Sequence, residues 1–118
     1  MIASDRTFKI WQYSVSHGML LLRSPMDGGN DTNMDVVFAG VRYVELPAVM
    51  KGIEVVSASS PASEIWPSAM ADDVLHTIRS QGAEYFVVGS VCRAYVNKLS
   101  LFDAGFLPRW QVTALGKV

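Results

Sequence analysis

Apolar positions in this chain fall in short runs, and most of the runs alternate at least in part with polar positions. Arg6 to Ser16 is rich in aromatic and β-branched residues, which predicts a strand. On that strand Trp11, Tyr13 and Val15 share one face, while Phe8 and Ile10 share the other. His17-Gly18 follows as a tight-turn signal, because Gly takes positive φ without strain. Met19 to Arg23 is the expected return strand. Its unbroken apolar run points to burial on both faces.

Ser24 to Asn33 is the clearest loop, built almost wholly of turn formers and polar residues. Met34 to Leu46 reads as strand, with a bulge or tight turn at Ala39-Gly40. Pro47 to Gly52 reads as a turn and Ile53 to Ser57 as another strand. Ala58 to Ser63 is a small-residue linker.

Ser68 to Gln81 carries the pattern of a helix. Ser68 is placed as N-cap, Asp72 and Asp73 sit early, and Gly82 is placed as a C-terminal stop. Met70, Val74, Leu75 and Ile78 form a helical stripe. The competing reading is a hairpin, with Val74 to Arg79 turning at Ser80-Gln81-Gly82. Glu84 to Val96 reads as one long strand or two, with a bulge near Gly89. Leu99 to Phe102 is one more short element, and Trp110 anchors a weakly patterned tail.

Short connections between successive strands require antiparallel pairing. The expectation is therefore an α+β domain spanning residues 1–118. It has a curved, mainly antiparallel sheet or partly open barrel of about five or six strands, with one helix packed on it.

Composition narrows the function classes. The chain has one cysteine, Cys92, so no internal disulfide forms, which fits a cytoplasmic setting. No apolar run has the length of a membrane span. A pI near 6.0 and isolated, spaced bases give no nucleic-acid footprint. Mean hydropathy is +0.23 and only 18% of residues are charged. That is apolar enough to leave surface for a partner to cover, and a homodimer is the expected state. Residues 27–73 hold two bases against eight acids, so an acidic middle could meet a basic partner.

Catalytic sets are not legible. His17, His76 and Cys92 lack metal-ligand spacing, and no cofactor motif is present. Asp31, Asn33 and Asp35 alternate like a calcium loop, but Val36 and Arg42 break the pattern. Cys92 lies in an apolar strand and reads as a structural thiol. The expected function is binding without catalysis, as a small homo-oligomer. A small apolar ligand in an aromatic-lined pocket is the alternative, and a Cys- or His-dependent enzyme comes third. Candidate binding residues are Trp11, Tyr13, Trp66 and Trp110, with Asp27, Asp31 and Asp35 on the acidic segment.

Overall fold

The computed structural model describes residues 1–27, 29–57 and 61–97, and the backbone of Thr113–Lys117. They form one antiparallel sheet and a single 3-10 turn at Ala62–Glu64. The strands are β1 (Ile2–Ser14), β2 (Met19–Ser24), β3 (Asn33–Ala39), β4 (Tyr43–Glu45), β5 (Val49–Ser57), β6 (Val74–Ser80), β7 (Ala83–Gly89), β8 (Val91–Asn97) and β9 (Thr113–Lys117). Their order is β4-β7-β6-β5-β1-β2-β3-β8-β9.

That order closes on itself. Only Ser90 separates β7 from β8, so the two are halves of one bent strand. The first half pairs with β6 and the second with β3, which joins the two flanks of the sheet. At the corner the Ser90 N–H donates to the Ala39 carbonyl at 2.9 Å. The ring therefore runs β1, β2, β3, β8 with β7, β6, β5 and back to β1. Phe38 on β3 touches His76 on β6, with ring centroids 5.4 Å apart. In a flat sheet the two strands, four places apart in the order, would lie about 19 Å from each other.

The interior of the ring is the main core. Phe8, Leu20, Leu22, Val36, Phe38, Val55, Ile78 and Val87 are all fully buried there. Alternation puts these residues inside and their neighbours outside. Leu20 and Leu22 point inward from β2, while Leu21 joins an outer group with Val37. Filling the ring with side chains is what a barrel of this strand number requires.

The helix expected over Ser68 to Gln81 is absent, and the described residues are all-β rather than α+β. Residues 74–80 form β6, and the turn at Gln81-Gly82 carries positive φ at both positions, 49° and 79°. That is the backbone of a two-residue hairpin turn. The helical stripe is divided by the fold. Ile78 faces the ring interior, Leu75 packs outside with Ala62 and Val88, and Met70 is exposed. β6 is buried on both faces from Leu75 to Ile78 because the 61–73 segment covers its outer side, which erases the period-2 signal. Asp73, expected in a first helical turn, instead accepts the Met70 N–H at 2.8 Å.

Three strand expectations also shift. β1 carries a bulge at Trp11: Ile10 is opposite Leu22 and Gln12 is opposite Leu21, so Trp11 is the extra residue. Trp11 and Tyr13 therefore do not share a face. The segment 47–52 is mostly strand, with Gly52 at φ 73° opposite a second irregularity of β1 between Ser4 and Thr7. The connection after β1 is the longer turn Val15 to Gly18. Leu99 to Phe102 and Trp110 lie outside the described residues.

Candidate functional site

The outer face of β1, β2, β3 and β8 holds polar chemistry in a setting that is usually solvated. Arg23 and Asp35 are register partners on β2 and β3, and both are fully buried. The Arg23 Nε donates to Asp35 Oδ1 at 2.7 Å, and Nη2 donates to Oδ2 at 3.0 Å. Asn97 on β8 adds a 2.6 Å hydrogen bond to Asp35 Oδ2. Asn33 donates to Asn97 Oδ1 at 2.8 Å, and Asn33 Oδ1 accepts the Met26 N–H at 2.7 Å. The bidentate pairing and the Asn97 hydrogen bond meet the Asp35 oxygens, which offsets part of the cost of burying the two charges.

Beside the network stands an apolar wall. Leu21 and Val37 are its buried centre, with Trp11, Met19 and Tyr95 packed around them. The Trp11 ring lies 5.5 Å from the Arg23 guanidinium carbon, within cation–π range. Two buried polar atoms on this face, Arg23 Nη1 and Gln12 Oε1, have no hydrogen-bond partner. The β1 bulge puts Gln12 opposite Leu21, on the same outer face as Arg23.

At the end of the β1–β2 hairpin the surface is different. Pairing between β1 and β5 stops at Lys9 and Val49, apart from an Ile10 N–H donating to the Ala48 carbonyl. Among the described residues Gln12 to Ser14 pair with β2 alone, and the bulge residue Trp11 has no register partner. This unpaired strand edge is flanked by exposed apolar side chains: Tyr13 is 42% exposed, Val15 77% and Val49 49%. His17 sits in the adjoining turn, exposed, with its Nδ1 in a 2.8 Å hydrogen bond with Ser14 Oγ.

Trp66 belongs to the opposite flank. It stacks on Tyr43, with centroids 5.9 Å apart, and the Arg42 guanidinium carbon lies 5.0 Å from its ring centre. Arg42 is in turn paired with Asp73 at 2.7 Å. Trp66 is already engaged by two side chains of its own chain, and it pins the 61–73 segment onto β6 and β7.

The acidic candidates separate. Asp27 is exposed and shapes its own turn. Its Oδ1 accepts the Gly29 and Asn30 N–H groups at 2.8 and 3.0 Å. Those hydrogen bonds, the Gly29 one foremost, hold the carboxyl below its ordinary value. Asp31 is exposed and Asp35 is not, so the three do not form one surface. Trp110 lies outside the described residues.

Cys92 and His76 both face the ring interior. Burial pushes the Cys92 thiol up to about 12 and the His76 imidazole down to about 4. His76 Nδ1 shares a 2.6 Å hydrogen bond with Ser57 Oγ, and its Nε2 is buried without a partner. A thiol held protonated is a poor nucleophile. Among the described residues no three His, Cys, Asp or Glu side chains group as metal ligands. No helix among them is long and apolar enough to cross a membrane.

No protein-family model, curated protein or solved structure matches this chain.

Proposed function

We propose that the protein works by binding rather than by catalysis, and that its first partner is a second copy of itself. The observation that carries this reading is the edge of β1 from Trp11 to Ser14, which has no partner strand among the described residues, with Tyr13, Val15 and Val49 exposed beside it. Free backbone N–H and C=O groups on a strand edge are satisfied by another strand. Two copies of one edge, run antiparallel, make a closed two-fold contact in which the same residues serve both sides. The exposed apolar side chains leave water in the same step. Tyr supplies large contact area at low entropic cost, which suits an interface.

The test is mass in solution. Light scattering after size exclusion is expected to give twice the 12.9 kDa chain mass. Val15→Asp and Tyr13→Asp, both at exposed positions, are expected to return the chain to 12.9 kDa without loss of fold. A wild-type chain that stays monomeric at high concentration would sink the proposal. So would a dimer indifferent to both substitutions.

A further inference from the structure

We infer that the second copy docks on β1 in one register, antiparallel, with Tyr13 directly opposite the partner's Tyr13. The inference rests on the self-association proposed above and names the residue that fixes the contact.

Two hydrogen bonds, one on each flank of the β1–β2 hairpin, give the direction of its backbone groups. On the β5 side the Ile10 N–H donates to the Ala48 carbonyl at 2.9 Å. Ile10 is opposite Leu22, so that pair is one that does not exchange hydrogen bonds. The two kinds of pair alternate along an antiparallel ladder. Gln12 with Leu21 is therefore a hydrogen-bonded pair, Tyr13 with Leu20 is not, and Ser14 with Met19 is. The β3 side agrees. The Gly18 carbonyl accepts the Val41 N–H at 2.9 Å, away from β1, and Leu20, two residues on, faces β3 in the same way. Tyr13 thus turns both its N–H and its C=O to the open side of β1, while Gln12 and Ser14 direct theirs to β2.

The open stretch is bounded at both ends. Ile10 N–H is held by Ala48, and the Val15 carbonyl accepts the Gly18 N–H at 3.2 Å. Between them Tyr13 presents a matched donor and acceptor. A two-fold axis at this residue lets the two copies exchange both hydrogen bonds. A shift of one residue would set Tyr13 opposite the partner's Gln12 or the partner's Ser14, whose backbone groups face the other way. A shift of two would set it opposite the partner's Val15, whose carbonyl is taken, or the bulge residue Trp11.

Side chains and charge fit the same register. Trp11 falls opposite the partner's Val15, and Gln12 opposite the partner's Ser14. Val15 and the partner's Val49, both exposed, come to the same end of the ladder. The two Tyr13 rings stand side by side on one face, where a cross-strand aromatic pair is favourable. No Asp, Glu, Lys or Arg lies between Ile10 and Gly18, so no such charge meets its own copy across the axis. Charged side chains, lysine above all, are what keep other strand edges single.

Cysteine cross-linking reads the register. Full-length Tyr13→Cys, oxidised in solution, is expected to form a disulfide-linked dimer of twice the 12.9 kDa chain mass. Gln12→Cys mixed with Ser14→Cys is expected to cross-link with Tyr13 still in place, and neither of those two is expected to link to its own copy. Cys92 is fully buried, so the unsubstituted chain stays unlinked. Amide exchange gives a second reading. The Tyr13 N–H is expected to exchange at least about tenfold more slowly in the dimer than in the Val15→Asp monomer, while the Gln12 N–H, held by β2, changes little.

A dimer in which Gln12→Cys or Ser14→Cys links to its own copy overturns the register and leaves self-association standing. So does a dimer in which Tyr13→Cys and the mixed pair both stay unlinked, or one whose Tyr13 amide exchanges as fast as in the monomer. A chain that is monomeric by light scattering overturns both readings, so the two failures are told apart.

Discussion

Phe38 and His76 meet edge to face inside the ring, at 5.4 Å and an interplanar angle of 64°, although three strands lie between them in the sheet order. The contact makes His76 part of the packing that closes the ring. It also means that the imidazole is held where it cannot be hydrated.

This sets a pH dependence. The folded-state value of His76, about 4, lies below its ordinary 6.5. Between those values the unfolded chain binds the proton and the folded chain does not. Stability is therefore complete above pH 6.5 and falls as the pH drops toward 4, by at most about 3 kcal/mol. Urea unfolding over that range checks it. His76→Leu is expected to flatten that part of the profile, and an unchanged slope would contradict the assignment.

Breaking the Arg23–Asp35 pair on one side should cost more than removing both ends. Asp35→Ala leaves a buried guanidinium without its counter-charge, which is expected to cost about 3–5 kcal/mol. Arg23→Met combined with Asp35→Leu is expected to be less destabilising than either single change. Chemical denaturation of the full cycle gives the coupling. Additive costs would mean the pair is not the unit described here.

The corner at Ser90 offers a clean comparison of glycines. Gly40 and Gly82 both have positive φ, 65° and 79°. A Cβ on Gly40 would lie 2.3 Å from Ser90 Oγ and 3.0 Å from Ser90 Cβ, whereas one on Gly82 meets nothing within 4 Å. Gly82→Ala is expected to cost about 1 kcal/mol, from backbone strain alone. Gly40→Ala is expected to cost more, and Ser90→Gly in the same chain is expected to recover the difference. Thermal melts of the four proteins decide it.

The 61–73 segment is held from outside by the Arg42–Asp73 pair and by Trp66. Asp73→Ala removes both that pair and the hydrogen bond from Met70 N–H. Because Arg42 is exposed, the loss of global stability should stay within about 1 kcal/mol. Limited proteolysis is expected to show the larger effect, with new cleavage confined to residues 61–73. Cleavage elsewhere first would show that the segment does not open locally.

Much of the strand content was legible, because β2 and β3 are apolar runs bounded by turn formers and β8 breaks from β7 beside Gly89. The character of residues 74–80 was not. Two-sided burial removed the polar alternation, and Asp72, Asp73 and Gly82 happened to fall where helix ends want them. The face assignment of Trp11 and Tyr13 failed for another reason: a bulge shifts every later side chain by one, and no residue type announces it. Asp35 looked like a surface acid because its partner Arg23 is adjacent only across the β2–β3 register. Gln12 reads from sequence only as a polar residue following Phe8 and Ile10 on their face, since a single Gln becomes informative only when its carbonyl is buried.

The bent β7–β8 strand has a consequence for synthesis on the ribosome. β3 is complete at residue 39, yet its partner on the ring side is residues 91–97. While the intervening chain is being made, Val36, Val37 and Phe38 stand on an apolar edge with no neighbour. Each nascent chain thus carries a sticky strand through half of its own translation. It becomes safe only when β8 emerges and zips from Asn33–Asn97 to Ala39–Val91. Codon choice and chaperone supply across residues 40–97 should therefore govern how much protein a cell recovers, more than the strength of the finished core.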